Sequence, residues 1–534
     1  MTSFRISFNS IAPPNSSSHF LALRQLKSYL AHQGVAHHFD IRFNLFSTDT
    51  PASEIVREIS AQRVEMAAFS VYTWNVSHVL EIGTCLHKEK DPVITVAGGP
   101  YVTFMADKLA MDGAIDLLVK GAGEEVFSRI LTHYFLNGSR DFRHIPNLLY
   151  QHNGTLVKTT EDHCFDVGQQ HYQLMVEDGD SDIFYYETSR GCPYRCRYCT
   201  WSTSNGTIRF YPREKIQADL SAVFSLPHVR HLGLCDSELF INREHGLWVL
   251  REIKRLNQRR RREGLPEINL SFEINPQRID QEIIDELVDL PLGVNFISCG
   301  LQTIDEQVNR DHLGRIFDKD IYFRNLTQLF ATAQKKGRLE QARKTIFIEI
   351  MHGLPGDTYE GFRKTVDYLL TESEISHFIS YRLQVLPGSY FWKNAQLYEL
   401  EYEEAPPHYL VSNSTFSEQD LEQAERLLFF IYLFSMVFKG IMRFVENKVT
   451  TNHLRVYEAI MDHLTSHYPE LISTLRADYN PSNEDETIIK MVKYQTDRQF
   501  VPLKSRITRE ARDIIRDYAD IAPQPDESLR CKRP

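Results

Sequence analysis

The sequence predicts an α/β protein in three parts. These are a doubly wound, flavodoxin-like sheet over residues 1–140, a partial (β/α)6 barrel of the TIM type over 181–404, and a mostly helical region over 405–534, with a linker at 141–180. Three patterns predict it. Short apolar runs alternate with amphipathic stretches up to about residue 150, and a second such series with longer helical spacers fills 183–385. Beyond about 405 the strand-like runs give way to charged residues interleaved with apolar ones at helical spacing.

In the first part FRISF (4–8), FDIRFNLF (39–46), MAAFSVY (66–72), VITVAGG (93–99) and IDLLVKG (115–121) read as strands. Helical patterns lie near 18–33, 52–62, 76–88, 104–111 and 123–136. That rhythm builds βαβ units, hence a parallel sheet covered on both faces. Ligands of such sheets sit outside the carboxyl ends of the strands. Gly98, Gly99 and Pro100 in VAGGPYV, and Gly121, Gly123 and Glu124 in KGAGEE, occupy two of those ends. A missing Cβ lets backbone approach a ligand, although glycines also end strands and acidic residues favour helix N-termini. Ser70, Tyr72, Trp74 and Asn75 in FSVYTWN end a third strand, where the two aromatics serve a ligand or the core.

NGSRDF, QHNGTL and EDGDSD make 137–180 polar and turn-rich, which is the basis for the linker. Six further strand-like runs follow: IFYYETS (183–189), VRHLGLCD (229–236), INLSFEI (268–274), VNFISCG (294–300), TIFIEIM (345–351) and ISYRLQV (379–385). Active residues of a barrel sit just after its strands. Between the second and third runs, RRRREG (259–264) reads as the solvated end of a helix. Helices are predicted at 418–440, 450–464 and 486–518. The run LLFFIYLFSMVF falls well short of the ~20 residues of a membrane span and reads as a buried helix. The closing DESLRCKRP reads as frayed, with Cys531 an exposed lone thiol.

The chain has 534 residues, long enough for two to four domains, and is 42% apolar and 25% charged. A net charge of -11 supplies no overall basic field, so nucleic acid is not an expected partner. MTSFRISFNSIAPP lacks a basic stretch leading into an apolar one, which predicts no secretory signal and a cytoplasmic location. Clustered cysteines in that reducing compartment mean a metal or catalysis rather than a disulfide.

Such a cluster is present. SRGCPYRCRYC places Cys192, Cys196 and Cys199 in one short loop directly after a strand. Eight cysteines scattered at random would produce C-x3-C-x2-C only about 0.002 times in a chain of this length. Zinc and an iron–sulfur centre both fit thiolates. Structural zinc takes four protein ligands, usually as two pairs, and no second C-x2-C follows. Three thiolates on one loop suit three irons of a [4Fe–4S] cube, leaving the fourth iron open to a small molecule.

The C-x3-C-x-aromatic-C pattern resembles the radical S-adenosylmethionine (SAM) superfamily. In that family the open iron chelates the amino and carboxylate groups of SAM, and an electron from the cube splits the sulfonium to give a 5′-deoxyadenosyl radical. ETSRGCPYRCRYC, followed by IRFYPREKI, looks like the cobalamin-binding branch, whose upstream sheet carries GGP and G-x-GE elements; AGGPYV (97–102) and KGAGEE (120–125) stand in that order here. GLCDSE (233–238), GLQTID (300–305) and HGLPGDT (352–358) are similar to the family's elements after the second, fourth and fifth barrel strands. The chain departs from the pattern in lacking D-x-H-x-x-G in its first 150 residues, in Ala122 where glutamate is usual, and in CDSE where GGE is usual.

The resemblance implies Cys192, Cys196 and Cys199 as iron ligands, and Tyr198 packed on the adenine. It places Asp236, Glu238, Glu273, Gln302 and Glu349 at SAM, although the first two also suit a helix cap. It places Ser70, Tyr72, Trp74, Asn75, Gly98, Gly99, Pro100, Gly121, Gly123 and Glu124 at cobalamin, without a histidine from that motif below the cobalt. The implied activity is methylation of an unactivated carbon in a small molecule or peptide, with a reductase, flavodoxin or ferredoxin as electron donor. A radical rearrangement, cyclisation or oxidation without methyl transfer is the alternative. An electron-carrying or structural centre in a binding protein is a third reading.

Overall fold

Strands β1 (Phe4–Ala12), β2 (Phe39–Ser47), β3 (Met66–Ser70), β4 (Ile94–Gly98) and β5 (Leu117–Val119) form where the apolar runs predict them. They alternate with α1 (Leu21–His32), α2 (Ala52–Ala61), α3 (Val76–Leu86), α4 (Pro100–Asp112) and α5 (Glu124–Asn137). The computed structural model describes residues 4–13, 21–91, 93–162, 165–176, 181–201, 207–290, 296–371, 378–439, 441–442, 445, 449, 453–477, 479 and 500–519. They divide into two units: 1–300, 313–346 and 384–410 form the first, and 301–312, 347–383 and 411–534 the second.

In the first unit β1 pairs in parallel with β2 and β3, and β3–β4 and β4–β5 continue the sheet, giving the order 2-1-3-4-5. One face buries Ile55 and Ile59 of α2, Val79 and Ile82 of α3 and Val102 of α4. The other buries Leu23 and Leu30 of α1 and Phe127, Ile130 and Leu131 of α5. The sheet is therefore doubly wound. Its switch point, where ligands of this strand order bind, is between β1 and β3.

The segment expected as a linker carries two more strands of this sheet. β6 (Leu148–His152) pairs antiparallel with β5, and β7 (Thr155–Lys158) pairs antiparallel with β6. Asn153 and Gly154 turn the hairpin with φ 52° and 76°, the two positive values a type I′ turn requires. Asn-Gly between two short apolar runs was the signal for it.

β8 (Ile183–Tyr186), the antiparallel pair β9 (Ser189–Arg190) and β10 (Arg209–Phe210), α6 (Arg213–Ser225), β11 (His231–Leu234), α7 (Arg243–Arg262), β12 (Asn269–Ile274), α8 (Gln281–Val288) and β13 (Phe296–Gln302) follow. β8, β11, β12 and β13 pair in parallel in that spatial order, as a (β/α) barrel requires. α9 (Lys319–Lys335) and α10 (Leu339–Thr345) follow in this unit. The RRRR run is only partly solvated. Arg260 is fully buried and donates to the carbonyls of Pro266, Phe224, Leu226 and Val229 at 2.7–3.2 Å, tying the end of α7 to the end of α6.

The second unit holds the parallel pair β14 (Ile346–His352) and β15 (Phe378–Arg382), with α11 (Tyr359–Thr371) between them. Its helical part comprises α12 (Glu418–Met436), α13 (His453–His467), α14 (Pro469–Ala477) and α15 (Phe500–Ala519). A capping box between Ser417 and Asp420 starts α12. Phe429, Phe430, Leu433 and Phe434 of α12 pack with Tyr457, Ile460, Ile507 and Ile515, so the apolar run is a buried helix. No helix of the described residues is long and apolar enough to cross a membrane. The tail DESLRCKRP, with Cys531, lies outside the described residues.

Candidate active site

Two residues past β8 the chain enters the pairing of β9, and Gly191 at φ 95° then turns it into the cysteine loop. A side chain is strained at that angle, so glycine suits the turn. Cys192 is buried, Cys196 and Cys199 are half-buried, and all three are free thiols. Cys199 N–H donates to Cys196 O at 3.1 Å, Arg197 N–H to Leu313 O at 2.9 Å, and Phe391 N–H to Arg197 O at 3.0 Å. Gly314 lies so close beneath the loop that a Cβ there would meet Arg195 O at 3.1 Å. The Arg197 guanidinium donates to the Tyr398 hydroxyl at 2.8 Å. The loop is thus held by backbone and side chains from residues 313–314 and 391–398.

Burial pushes the Cys192 thiol up, opposed by the Ser237 hydroxyl and the Tyr194 N–H. Burial pushes Cys199 up to about 12, opposed by the Trp201 N–H and reinforced by Cys196 and Cys192. Thiols that disfavour one another's ionisation become thiolates together when a metal supplies positive charge. Among the described residues no three His, Cys, Asp or Glu side chains converge as ligands of a single ion. Three thiols on one loop, without a fourth ligand beside them among the described residues, suit separate irons of one cube better than one tetrahedral zinc. A histidine pair at H-x3-H spacing, His463 and His467, is in α13 of the second unit, where His463 Nε2 lies 3.1 Å from Glu510.

Asp236 and Glu238, both buried, follow β11 but do different work. Asp236 accepts from Thr188 N–H at 3.1 Å, Thr188 Oγ1 at 2.7 Å and Ser189 Oγ at 2.5 Å. Its carboxylate is therefore engaged in shaping the entry to the cysteine loop, rather than presented to SAM as the resemblance implied. Burial raises it to about 6 against those bonds. Glu238 accepts from the Tyr194 hydroxyl through Oε2, while Oε1 is buried without a hydrogen bond, 3.5 Å from Arg278 Nε. Burial raises Glu238 to about 7, against Tyr194 and the Arg278 charge. A buried carboxylate oxygen without a hydrogen bond, with only the long Arg278 contact, fits a ligand ammonium. Glu273, the penultimate residue of β12, is exposed and near enough for its charge to raise Cys199.

Tyr198 stands beside Cys196, and Arg315 is its cationic neighbour, donating to Gly300 O at 3.0 Å. Neither Arg315 nor Tyr194 was singled out from the sequence; LGRIF carries no signal of its own, and only the fold brings it to the loop. Cys299 is fully buried as a small apolar residue. In the second unit, Gln302 ends β13 at φ 71°, a left-handed conformation uncommon for a residue with a side chain and frequent at functional sites. Glu349 is half-buried within β14. His352, at the end of β14, bonds Ser380 Oγ at 2.9 Å and is pushed down to about 3 by burial, as a core histidine.

At the switch point of the first sheet, Tyr72 and Trp74 stack at 4.3 Å with planes 7° apart, and Trp74 is 45% exposed. The Ser70 hydroxyl bonds to Tyr72. Asn75, expected at the cofactor, is turned inward: its amide donates to Ile11 O and Ser70 O at 3.0 Å each and accepts from Tyr72 N–H at 2.8 Å. It ties the ends of β1 and β3 together. Gly98 and Gly121 do leave space, since a Cβ on Gly98 would come no nearer than 3.7 Å to Val119 and one on Gly121 would meet nothing within 4 Å. Gly99 answers to the protein instead: at φ 115° its Cβ would lie 2.7 Å from Val71 O. A Cβ on Gly123 would touch Leu26 at 3.4 Å, and Pro100 opens α4. Glu124 opens α5, but its carboxylate pairs with Arg190 at 2.7 Å. The stack, exposed on its Trp74 side, and the open Gly98 and Gly121 fit a flat ring laid over the strand ends.

The family model described as the radical SAM superfamily matches residues 186–369, and that of the B12 binding domain matches 11–131. The chain is 24% identical over 346 residues to the 2-(S-pantetheinyl)-carbapenam-3-carboxylate methyltransferase of Streptantibioticus cattleyicolor, covering 61% of this chain and 47% of the relative. It is 24% identical over 347 residues to the cobalamin-dependent radical SAM methyltransferase TokK of Streptomyces tokunonensis, with the same coverage. It thus spans about half the length of these curated relatives. Among solved structures, OxsB with aqua-cobalamin bound aligns with TM-score 0.61 at 12% identity, covering 97% of this chain and 81% of that one. TsrM from Kitasatospora setae, with cobalamin and a [4Fe-4S] cluster bound, aligns with TM-score 0.58 at 18% identity over 76% of this chain and 78% of that one.

Proposed function

The chain belongs to the cobalamin-binding radical SAM family, and from that premise we propose that it is a methyltransferase acting at an unactivated carbon of a small molecule or peptide. The observation that carries this reading is the loop of three free thiols that follows β8 and β9, downstream of a flavodoxin-like sheet whose switch point presents Tyr72 and Trp74. Cys192, Cys196 and Cys199 would hold the cube, which would supply the electron for SAM cleavage, and the switch point of the first sheet would hold the corrin, which would supply methyl-carrying chemistry.

The chain's own residues do the rest by holding and orienting. Glu238 Oε1 takes the SAM ammonium, since it is a buried carboxylate oxygen with no hydrogen bond. Tyr198 lies against the adenine. Glu273 is the further SAM contact of the first unit in this reading. Ser70, Tyr72, Trp74, Gly98 and Gly121 line the corrin. The electron comes from a reductase, flavodoxin or ferredoxin.

Anaerobic reconstitution with iron, sulfide and cobalamin, followed by SAM, a reductant and candidate substrates, tests the proposal. Methyl transfer yields S-adenosylhomocysteine together with 5′-deoxyadenosine. 5′-Deoxyadenosine alone would point to the non-methylating radical reaction, and iron uptake with SAM left intact would overturn both.

A further inference from the structure

Glu124 and Arg190 come from the two motifs that carry the two cofactor sites, and they meet. Arg190 Nη2 lies 2.7 Å from Glu124 Oε1 and 2.5 Å from Glu187 Oε1, with Nε 3.0 Å from the same Glu187 oxygen. Gln25 of α1 joins through its amide, accepting from Arg190 at 3.0 Å and donating to Glu187 at 2.8 Å. The Tyr211 hydroxyl donates to Glu187 at 2.8 Å. The side chains of Arg190, Glu124 and Glu187 are only 15%, 5% and 9% exposed.

A charge set this dry is a poor source of stability compared with apolar packing, because desolvation offsets the attraction between the charges. What such a set does well is select one register. Its members lie where register matters. Glu124 is the first residue of α5, three positions after Gly121, and Arg190 is two positions before Cys192. Glu187 and Arg190 bracket the passage from β8 into the cysteine loop. Burial would push Glu187 up, but the Arg190 charge and its bonds outweigh this and keep it ionised.

We propose that Glu124 and Arg190 are positioning residues: their buried pair locks α1 and α5 of the first sheet against the entry to the cysteine loop and so sets the separation of the two cofactor sites. Glu124 then serves the corrin only through Arg190. The proposal rests on the cofactor reading of the preceding subsection, and its test separates the two.

The full chain is compared with Glu124→Gln, Arg190→Lys and Arg190→Met. Hydrogen exchange of the cofactor-free protein reads segments 121–127 and 187–192. Iron and cobalamin contents are measured after reconstitution, and pulsed electron paramagnetic resonance then reads the dipolar coupling between cob(II)alamin and the reduced cube. In Glu124→Gln and Arg190→Met, exchange is expected to rise about tenfold or more in both segments together. Both cofactors should be retained within about twofold, as expected when no ligand is removed. The distance distribution between the two centres broadens, and Arg190→Lys falls between wild type and Arg190→Met. Should Arg190→Met fail to fold, the two milder variants decide. Unchanged exchange in either segment, or loss of cobalamin alone from Glu124→Gln with a sharp distance distribution, would overturn the proposal. Wild type that binds neither cofactor defeats the functional reading instead, while hydrogen exchange still decides the coupling.

Discussion

Tyr194 donates its hydroxyl to Glu238 Oε2 at 2.8 Å, which orients a buried carboxylate whose other oxygen has no hydrogen bond. The tyrosine sits inside the cysteine loop and the glutamate past β11, so the contact joins the cysteine loop to the end of the second barrel strand. Glu238→Gln removes the charge expected to meet the SAM ammonium. SAM affinity of the reconstituted protein should fall about ten- to a hundredfold, with a smaller loss for Tyr194→Phe. Equal affinity in Glu238→Gln and wild type, by anaerobic calorimetry, would remove Glu238 from the SAM site.

The same group gives a pH dependence. Glu238 is raised from 4.5 to about 7 by burial, so the folded chain holds a proton that the unfolded chain has released between those values. Linkage then makes its contribution to cofactor-free stability fall as pH rises through that window, by on the order of a few kcal/mol. SAM affinity should move the opposite way, rising through pH 7 as the carboxylate ionises. A flat SAM affinity from pH 6 to 8 would show that the ammonium is held elsewhere.

Replacing Cys192, Cys196 or Cys199 by alanine should abolish the visible absorption of the reconstituted cube and nearly all bound iron. Circular dichroism should change little, because the loop is held by bonds to 313–314 and 391–398 rather than by the thiols. Full iron content in any of the three variants would mean that residue is not a ligand.

The glycines should separate by role. Gly99→Ala forces a Cβ to 2.7 Å from Val71 O at φ 115° and should cost about 2–4 kcal/mol, read as a lowered denaturation midpoint. Gly121→Ala meets no atom within 4 Å and pays only for its positive φ, about 1 kcal/mol. Its main effect should be on cobalamin retention. A larger stability loss in Gly121→Ala than in Gly99→Ala would contradict this assignment.

Arg260→Ala leaves four buried carbonyls without their donor and should destabilise by about 3–5 kcal/mol. Arg262→Ala, at the solvated end of the same run, should stay within about 0.5 kcal/mol of wild type. Urea denaturation of the two variants side by side distinguishes them.

Much of the architecture was legible because its elements declare themselves locally. Ile55, Val56 and Ile59 repeat at helical spacing, and MAAFS is apolar throughout, as a strand covered on both faces must be. The cysteine spacing pointed to a single loop of thiols for a similar reason, since residues close in sequence are close in space. QHNGTL was misread as linker because turn residues mark a hairpin and a connection alike. The partner of β6 is β5, which ends 29 residues earlier.

The sequence by itself determined the strand and helix order, the doubly wound sheet followed by barrel strands, and three thiols on one loop, because each follows from periodicity or short spacing. Only the tertiary structure decided which polar atoms the protein itself engages and which it leaves without a hydrogen bond. Asp236, Asn75 and Glu124 share composition and setting with Glu238, yet their polar atoms are engaged by Thr188 and Ser189, by Ile11 and Ser70, and by Arg190. A buried polar atom must find a partner, and whether that partner is protein or ligand depends on neighbours brought in from distant parts of the chain, which no local pattern records.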